Sequence, residues 1–314
     1  MDVLLSHVAG IDVHKEILAI TVLIGGPGEK VKVEQFTCST FTGDLEETAQ
    51  RLLKAGVQDV AMESTGIYWK PIFNVFHAAG IRVTLGNAAH IKNVPGRKTD
   101  MKDSHWIAYL HRHGFIKASF IPEEEFQDLR LLTRHRTGLI EEKTRLKNRV
   151  QKILEDGNVK LSCVINDIFG VGGRAVLELI AKGTTDAKIL SEAVKTNVKK
   201  KDDLIKGLKN CLRQTHIVLI RELLEQVEFC ETRIGAIDAE ISERVKKHAD
   251  VVSRLCEVPG VSENLAVQIV SESGASLASF GEDRKYAAWA GVAPGNNESA
   301  KKKEGLRLER EIQR

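Results

Sequence analysis

Two aspartates three residues apart, Asp100 and Asp103, belong to the segment RKTDMKD, which precedes the amphipathic run 104–111. If Thr99 caps a helix at this point, both carboxylates lie on one face of its first turn. Carboxylates so placed repel each other. The helix dipole offsets part of that repulsion, and a divalent cation would hold the pair more easily. The alternative is an ordinary acidic first turn, which is common where helices begin.

Two further acids, Asp12 and Glu63, lie at the ends of predicted strands. The hydrophobic pattern predicts strands at 8–13, 17–23, 30–36, 58–62 and 82–85, helices at 42–55, 68–79 and from 99 onward, and a basic loop at 87–98. This order is typical of a mixed sheet with helices on its faces. Because the carboxyl ends of parallel neighbours meet at one rim, Asp12 and Glu63 should meet there, with Asp100 and Asp103 closing over it.

Four converging carboxylates indicate a metal site, because they are costly to hold together unless metal ions neutralise them. Two Mg²⁺ or Mn²⁺ ions would activate an attacking oxygen and stabilise a leaving oxygen, which is the chemistry of phosphodiester cleavage. Oxygen ligands without a His/Cys cluster favour these ions over zinc. The alternative for each acid is a solvated end of a strand or helix.

Three segments that contain these acids resemble a known family. GIDVHK at 10–15, MESTGIYW at 62–69 and RKTDMKD at 97–103 are similar to the signatures of the amino-terminal domain of IS110-family transposases. That domain is similar to RuvC Holliday-junction resolvases and has an RNase H-like fold with a DEDD metal site. The resemblance implies that the metal-binding and catalytic acids are Asp12, Glu63, Asp100 and Asp103.

Basic side chains surround the predicted acidic rim and also line a long predicted helix at 123–155. Those at the rim would draw phosphate to a site whose own charge repels it. For the helix, nucleic-acid contact and a merely solvated face are equally open. The residues that we expect to bind nucleic acid are Lys15, Arg97, Lys98, Lys102, Arg134, Arg136, Arg145 and Arg149.

Heptad spacing characterises the middle of the chain. One run places apolar residues at 132, 139, 146 and 153, and a second places them at 220, 227, 234 and 241. The two runs can pair within the chain, between chains, or both. The family resemblance agrees with a coiled-coil segment here and implies a homo-oligomer, a dimer or a tetramer.

The carboxy-terminal region begins with a Pro259-Gly260 turn, which is predicted to lead into a capped helix. Further on, YAAWAGVAPGNNES at 286–299 resembles the signature of the carboxy-terminal transposase domain of the same family. In that family the serine of this block attacks a DNA phosphate, so the resemblance implies Ser299 as a catalytic nucleophile. The residue pattern by itself predicts only a loop serine, with lysines at 301–303 that could activate it. Family members continue past this block, so we expect the last domain, which ends at Arg314, to be incomplete.

Composition sets the remaining expectations. A chain of 314 residues with 42% hydrophobic residues is long enough for several packed domains. We predict a RuvC-like domain at 1–118, a helical coiled-coil region at 119–250 and a partial helical transposase domain at 251–314. Five separated cysteines and the lack of a long apolar run predict a cytoplasmic protein with neither a zinc site nor a membrane partner. The family resemblance implies a bacterial or archaeal cell and association with the nucleoid.

The function that the family resemblance implies, together with the four acids, is that of a Mg²⁺-dependent DNA transposase or recombinase of an insertion sequence. Its partners would be the DNA of the element ends and of the target, and the resemblance adds a guide RNA for some members. Two alternatives stay open. One is a junction-resolving nuclease that uses only the four acids, and the other is a catalytically inactive nucleic-acid-binding remnant.

Overall fold

The computed structural model describes residues 2–64, 66–93, 103–194, 201–293, 298–299 and 302–303. The chain divides into two compact units, Met1–Ile121 and Pro122–Arg314. The division of the second unit into a coiled-coil region and a transposase domain stays a prediction. Within the described residues, no helix is both long enough and apolar enough to cross a membrane.

The first unit is a five-stranded mixed sheet with helices on both faces. Its elements are β1 His7–Val13, β2 Ile17–Ile24, β3 Lys32–Ser39, α1 Thr42–Lys54, β4 Asp59–Glu63, α2 Trp69–Ala78, β5 Arg82–Gly86, α3 Ala88–Asn93 and α4 Asp103–Arg112. The strand order is β3-β2-β1-β4-β5, in which β2 is antiparallel to β1 and β3, and β4 is parallel to β1 and β5. This is the arrangement of an RNase H-like domain, and it confirms the predicted fold class.

Alternation along β1 separates the two faces of the sheet. Ala9, Ile11 and Val13 pack into the main core of this unit, together with α1 and α2. Val8 packs against Ala108 of α4 on the other face. Strand β1 therefore contributes side chains to two distinct packing layers, and only one of them includes α4.

The prediction of a basic loop at 87–98 was wrong for the first part of that segment, because Ala88–Asn93 forms the helix α3. The physical reason is burial of Ile91, which packs with Trp106 of α4 in a small core. The indole Nε1 of Trp106 also donates a hydrogen bond to the carbonyl oxygen of Ile91, at 3.2 Å. The remainder of that segment, and the predicted Thr99 cap, lie outside the described residues.

The second unit is mainly helical. Its elements are α5 Glu124–Asp156, α6 Leu161–Val164, α7 Val171–Ala181, α8 Ala187–Glu192, α9 Lys201–Leu208, α10 Gln214–Val245, α11 Ala249–Cys256, α12 Glu263–Ser273, α13 Asp283–Trp289, and the short strands β6 Glu298–Ser299 and β7 Lys302–Lys303. The predicted turn before α12 is confirmed, since Gly260 has a φ of 87° and the Ser262 hydroxyl accepts a hydrogen bond from the backbone N–H of Leu265.

The two heptad runs pair within the chain, because α5 packs against α10. At one end of this helical hairpin, Leu146 and Val150 of α5 share a core with Ile220 and Val227 of α10. At the other end, Leu129 shares a second core with Ile241, α11 and α12. The positions of the predicted heptad run on α5 that are only partly buried are Leu132, Leu139 and Ile153.

Candidate metal centre

Asp12 and Glu63 lie side by side at the carboxyl ends of two parallel strands. Gly10 of β1 is in register with Ala61 of β4, and Ala61 packs against α4. Because side chains alternate along a strand, the residues two positions further on, Asp12 and Glu63, lie on the same face of the sheet. The sequence prediction that these two strand ends are neighbours is therefore correct.

Helix α4 lies directly on β1 because position 10 is a glycine. A Cβ added at Gly10 would lie 2.8 Å from the Cα of Ala108 and would overlap the backbone nitrogen of that residue and the carbonyl oxygen of Ser104. The far end of α4 lies beyond the other end of β1, where the carbonyl oxygen of Arg112 accepts hydrogen bonds from two backbone N–H groups, at residues 4 and 5. Thus α4 runs antiparallel to β1.

This antiparallel packing places Asp103, the first described residue of α4, toward the rim where β1 and β4 end. Three of the four predicted acids, Asp12, Glu63 and Asp103, therefore lie on one face and toward one end of the sheet. The fourth, Asp100, lies outside the described residues, as do the predicted rim cations Arg97, Lys98 and Lys102. Lys15 is exposed just after Asp12 in sequence.

The donor chemistry of this rim fits a hard divalent cation. All the described candidate ligands are carboxylates, which suit Mg²⁺ or Mn²⁺, and the positive end of a helix dipole such as that of α4 stabilises anionic groups. Asp12 is partly exposed and accepts a hydrogen bond from Nε2 of His14 at 3.1 Å. Burial lowers the pKa of His105, which lies two residues after Asp103, and so disfavours a positive charge on this ring. Within the ranges that the structure covers, no group of three His, Cys, Asp or Glu residues is close enough to hold a metal ion.

Two buried hydroxyls beside this rim were not predicted from the sequence. Thr21 of β2 and Ser104 of α4 form a hydrogen bond of 2.8 Å. The side-chain amide of Gln35, on β3, donates a second hydrogen bond to the Thr21 hydroxyl at 3.1 Å. The signal in the sequence was a threonine inside the apolar run of β2, which marks a polar group on a packed face.

Four of the arginines predicted to bind nucleic acid lie on α5, and three of these four pair with acids of the same unit. Arg134 donates two hydrogen bonds to Glu272, at 2.8 and 3.0 Å, and Arg136 pairs with Asp238 of α10. Arg145 pairs with Glu142, one turn earlier, at 2.6 Å. Arg149 is exposed. Much of the basic charge of this helix is therefore matched within the chain.

Ser299 belongs to the second unit, where its backbone forms part of a two-residue antiparallel hairpin. Ser299 of β6 is paired with Lys302 of β7, and Glu298 with Lys303. The block YAAWAGVAPGNNES, which ends at Ser299, starts in α13, where the rings of Tyr286 and Trp289 stack with centroids 5.7 Å apart. Lys301 lies outside the described residues.

Comparison with known families gives two matches. A family model for the DEDD transposase domain of IS110 elements, described as "Transposase", matches residues 9–158. A second model, "Transposase IS116/IS110/IS902 family", matches residues 252–314. A comparison with curated proteins finds no match.

Among solved structures, two of Thermus thermophilus RuvC are similar to this chain at 16% identity and a TM-score of 0.28. One shows RuvC in complex with a Holliday junction substrate, and the similarity covers 37% of this chain and 100% of that one. For the other, the similarity covers 36% of this chain and 99% of that one.

Proposed function

The chain belongs to the IS110 family of transposases, and on that premise we propose that it cuts and rejoins DNA at the ends of an insertion sequence and at its target. The observation that carries this proposal is that Asp12 and Glu63 lie at the adjacent ends of two parallel strands, with Asp103, the first described residue of α4, toward the same end of the sheet. Acids at adjacent strand ends are suited to phosphodiester chemistry, because they can hold divalent cations beside a phosphate.

In this proposal Asp12, Glu63, Asp100 and Asp103 hold Mg²⁺ or Mn²⁺. A cation bound there would neutralise charge on the phosphodiester and promote attack at phosphorus. His14 donates to Asp12 and so orients one carboxylate oxygen. Lys15, Arg97, Lys98 and Lys102 attract the DNA backbone, which offsets the repulsion between phosphate and the acids.

Ser299 acts as the nucleophile. Its hydroxyl oxygen forms a bond to phosphorus, the bond from phosphorus to one bridging DNA oxygen breaks, and that oxygen leaves as a DNA hydroxyl. A neighbouring neutral lysine, or solvent, accepts the serine proton. Rejoining is the reverse reaction, in which a hydroxyl of another DNA end attacks the phosphoserine ester and releases the serine.

The chain acts as a homo-oligomer, a dimer or a tetramer, in which the acids of one subunit work with Ser299 of another. The exposed basic positions of α5, such as Arg149, contact nucleic acid, either the DNA or a guide RNA. The support for this part of the proposal is the family membership together with the charge of that helix.

The metal centre is tested with Asp12→Asn and a matched control. Asp59→Asn removes a carboxylate from the opposite end of β4, where Asp59 pairs with Arg82 at 2.6 Å. We expect Asp12→Asn to weaken Mn²⁺ binding by at least about tenfold and to abolish cleavage of a plasmid that carries the element, with the fold intact. Asp59→Asn should retain both properties.

Mn²⁺ binding is measured from the loss of the electron paramagnetic resonance signal of the free ion. The fold is checked by circular dichroism. Normal Mn²⁺ binding and normal cleavage by Asp12→Asn would refute the proposed centre.

A further inference from the structure

We propose that Thr21 and Ser104 are positioning residues for the candidate metal centre. Their hydrogen bond holds the start of α4 on the sheet and thereby sets the position of Asp103 relative to Asp12. The inference rests on the proposed function, because it assigns to these hydroxyls a role in building that same metal centre.

The register of the strands brings this hydrogen bond close to the acids. Thr21 of β2 is paired with Gly10 of β1, two residues before Asp12. Ser104 directly follows Asp103 in α4. The bond therefore joins the strand beside β1 to the residue next to a candidate ligand, and both hydroxyls are buried.

The contact is extended by a third residue. Gln35 is paired with Thr21 in the β2–β3 register, and its amide donates to the Thr21 oxygen. Either hydroxyl can be the donor in the Thr21–Ser104 bond, because the Thr21 oxygen can accept from Gln35 and still donate to, or accept from, Ser104. These two hydrogen bonds therefore connect β3, β2 and α4 across the same face of the sheet that carries Asp12.

A hydrogen bond between positions 21 and 104 fixes the position of α4 more strictly than apolar packing could. Apolar side chains at positions 21 and 104 would tolerate sliding of α4 along the sheet, whereas a hydrogen bond restricts both distance and angle. Gly10 allows α4 to approach β1 within backbone contact, and the Thr21–Ser104 bond determines where along β1 it stops. Mg²⁺ demands ligands at about 2.0–2.1 Å in near-octahedral geometry, so a small shift of Asp103 would weaken binding.

The test compares Mn²⁺ affinity among variants of the full chain without DNA. Thr21→Val and Ser104→Ala each remove one hydroxyl. Thr21→Ser keeps the hydroxyl, and Thr48→Val removes a buried hydroxyl from α1, on the other face of the sheet. We expect Thr21→Val and Ser104→Ala to weaken Mn²⁺ binding by about tenfold, the low end of the range for groups that orient metal ligands. Thr21→Ser and Thr48→Val should bind as the wild type does.

The controls separate positioning from stability. Thr48→Val is expected to lower the melting temperature without changing Mn²⁺ affinity. If Thr21 had a purely structural role, Thr21→Val would likewise lower the melting temperature and leave Mn²⁺ affinity unchanged. If Thr21→Val does not fold, the test uses Ser104→Ala and the milder surface variant Gln35→Ala. Of these two, Gln35→Ala should show the smaller loss of Mn²⁺ affinity. Wild-type affinity in folded Ser104→Ala and Gln35→Ala would overturn the inference.

The same titration distinguishes this inference from the function on which it rests. A wild-type chain that binds Mn²⁺, with binding weakened by Asp12→Asn but unchanged by Ser104→Ala, would overturn the positioning role alone. A wild-type chain that binds no Mn²⁺ would overturn the proposed metal centre, and the positioning role with it.

Discussion

At the scale of single residues, Gly10 has the most direct effect on how the candidate metal centre is assembled. It lies two residues before Asp12, and the backbone of α4 occupies the space that any side chain at position 10 would need. The close approach brings Asp103 toward the end of β1. The glycine of the GIDVHK block is thus required by packing, independently of any role in chemistry.

We therefore predict that Gly10→Ala destabilises the protein by about 1–3 kcal/mol or more, because overpacking against backbone atoms cannot be relieved by a rotamer change. Gly43→Ala is the matched control, since nothing lies within 4 Å of a Cβ added at Gly43 in the first turn of α1. Alanine is the better helix former, so this control should be neutral or stabilising by up to about 1 kcal/mol. Urea denaturation monitored by circular dichroism measures both, and equal stabilities of the two variants would contradict the packing argument.

At the scale of elements, the helical hairpin of α5 and α10 organises the second unit. Its two ends are buried in separate cores, one completed by the helices between α5 and α10 and the other by α11 and α12. Leu146 lies in the first of these cores, whereas Leu131, on the same helix, is 57% exposed. Heptad spacing identified the helix, but the surrounding helices determine which positions are buried.

Leu146→Ala should accordingly lower the free energy of unfolding by about 2–5 kcal/mol, because it leaves a cavity in a closed core. Leu131→Ala makes the same chemical change on the exposed side of the helix and should change stability by less than about 0.5 kcal/mol. Chemical denaturation of both variants provides the comparison. A similar loss in the two would mean that the hairpin buries its other face in solution.

The arginines of the same helix differ in their availability to nucleic acid. Arg136 pairs with Asp238, and its side chain is only 15% exposed, whereas Arg149 is exposed. We expect Arg149→Gln to weaken binding of nucleic acid. The logarithm of the association constant falls linearly with the logarithm of the salt concentration, and the variant should reduce the magnitude of that slope by about 0.9, the value for one lost phosphate contact on duplex DNA. Arg136→Gln should leave the slope unchanged. Fluorescence anisotropy at several salt concentrations tests this, and equal slopes for the two variants would show that Arg149 makes no phosphate contact.

At the scale of the whole molecule, the two kinds of candidate catalytic group belong to different compact units. The acids lie in Met1–Ile121, and Ser299 lies in Pro122–Arg314. A serine that attacks phosphorus leaves a covalent protein–DNA bond that survives denaturation, whereas metal-activated water does not. This difference separates the proposed recombinase from a nuclease that uses only the acids.

Ser299→Ala is expected to form no covalent DNA adduct while it retains Mn²⁺ affinity, and Asp12→Asn should lose both.

If the acids and the serine act between subunits, mixed dimers of the two variants contain one intact composite site. An equimolar mixture with free subunit exchange should then recover about a quarter of the wild-type adduct. Denaturing gels of labelled DNA measure the adduct. Its persistence in Ser299→Ala would eliminate the serine as nucleophile, and an inactive mixture would indicate that both groups act within one subunit.

The sequence by itself determined the elements of the first unit and the identity of the candidate acids. Alternating and helical periodicities depend on neighbouring residues, so the strands that end in Asp12 and Glu63 could be predicted from local pattern. The order of elements then predicted a mixed sheet, and three motif blocks indicated the family. The exception was α3, which local pattern did not predict because it is stabilised by a tertiary contact, the burial of Ile91 against α4.

Only the tertiary structure decided how distant segments meet. The antiparallel placement of α4 on β1, the bond between Thr21 and Ser104, 83 residues apart, and the pairing of Arg134 with Glu272 all join segments far apart in sequence. No periodicity encodes such contacts, because they depend on backbone approach and hydrogen-bond geometry that arise only when the elements pack. For the same reason the arginines of α5 looked equivalent in the sequence, whereas folding left Arg149 exposed and paired Arg134 and Arg136 with acids of other helices.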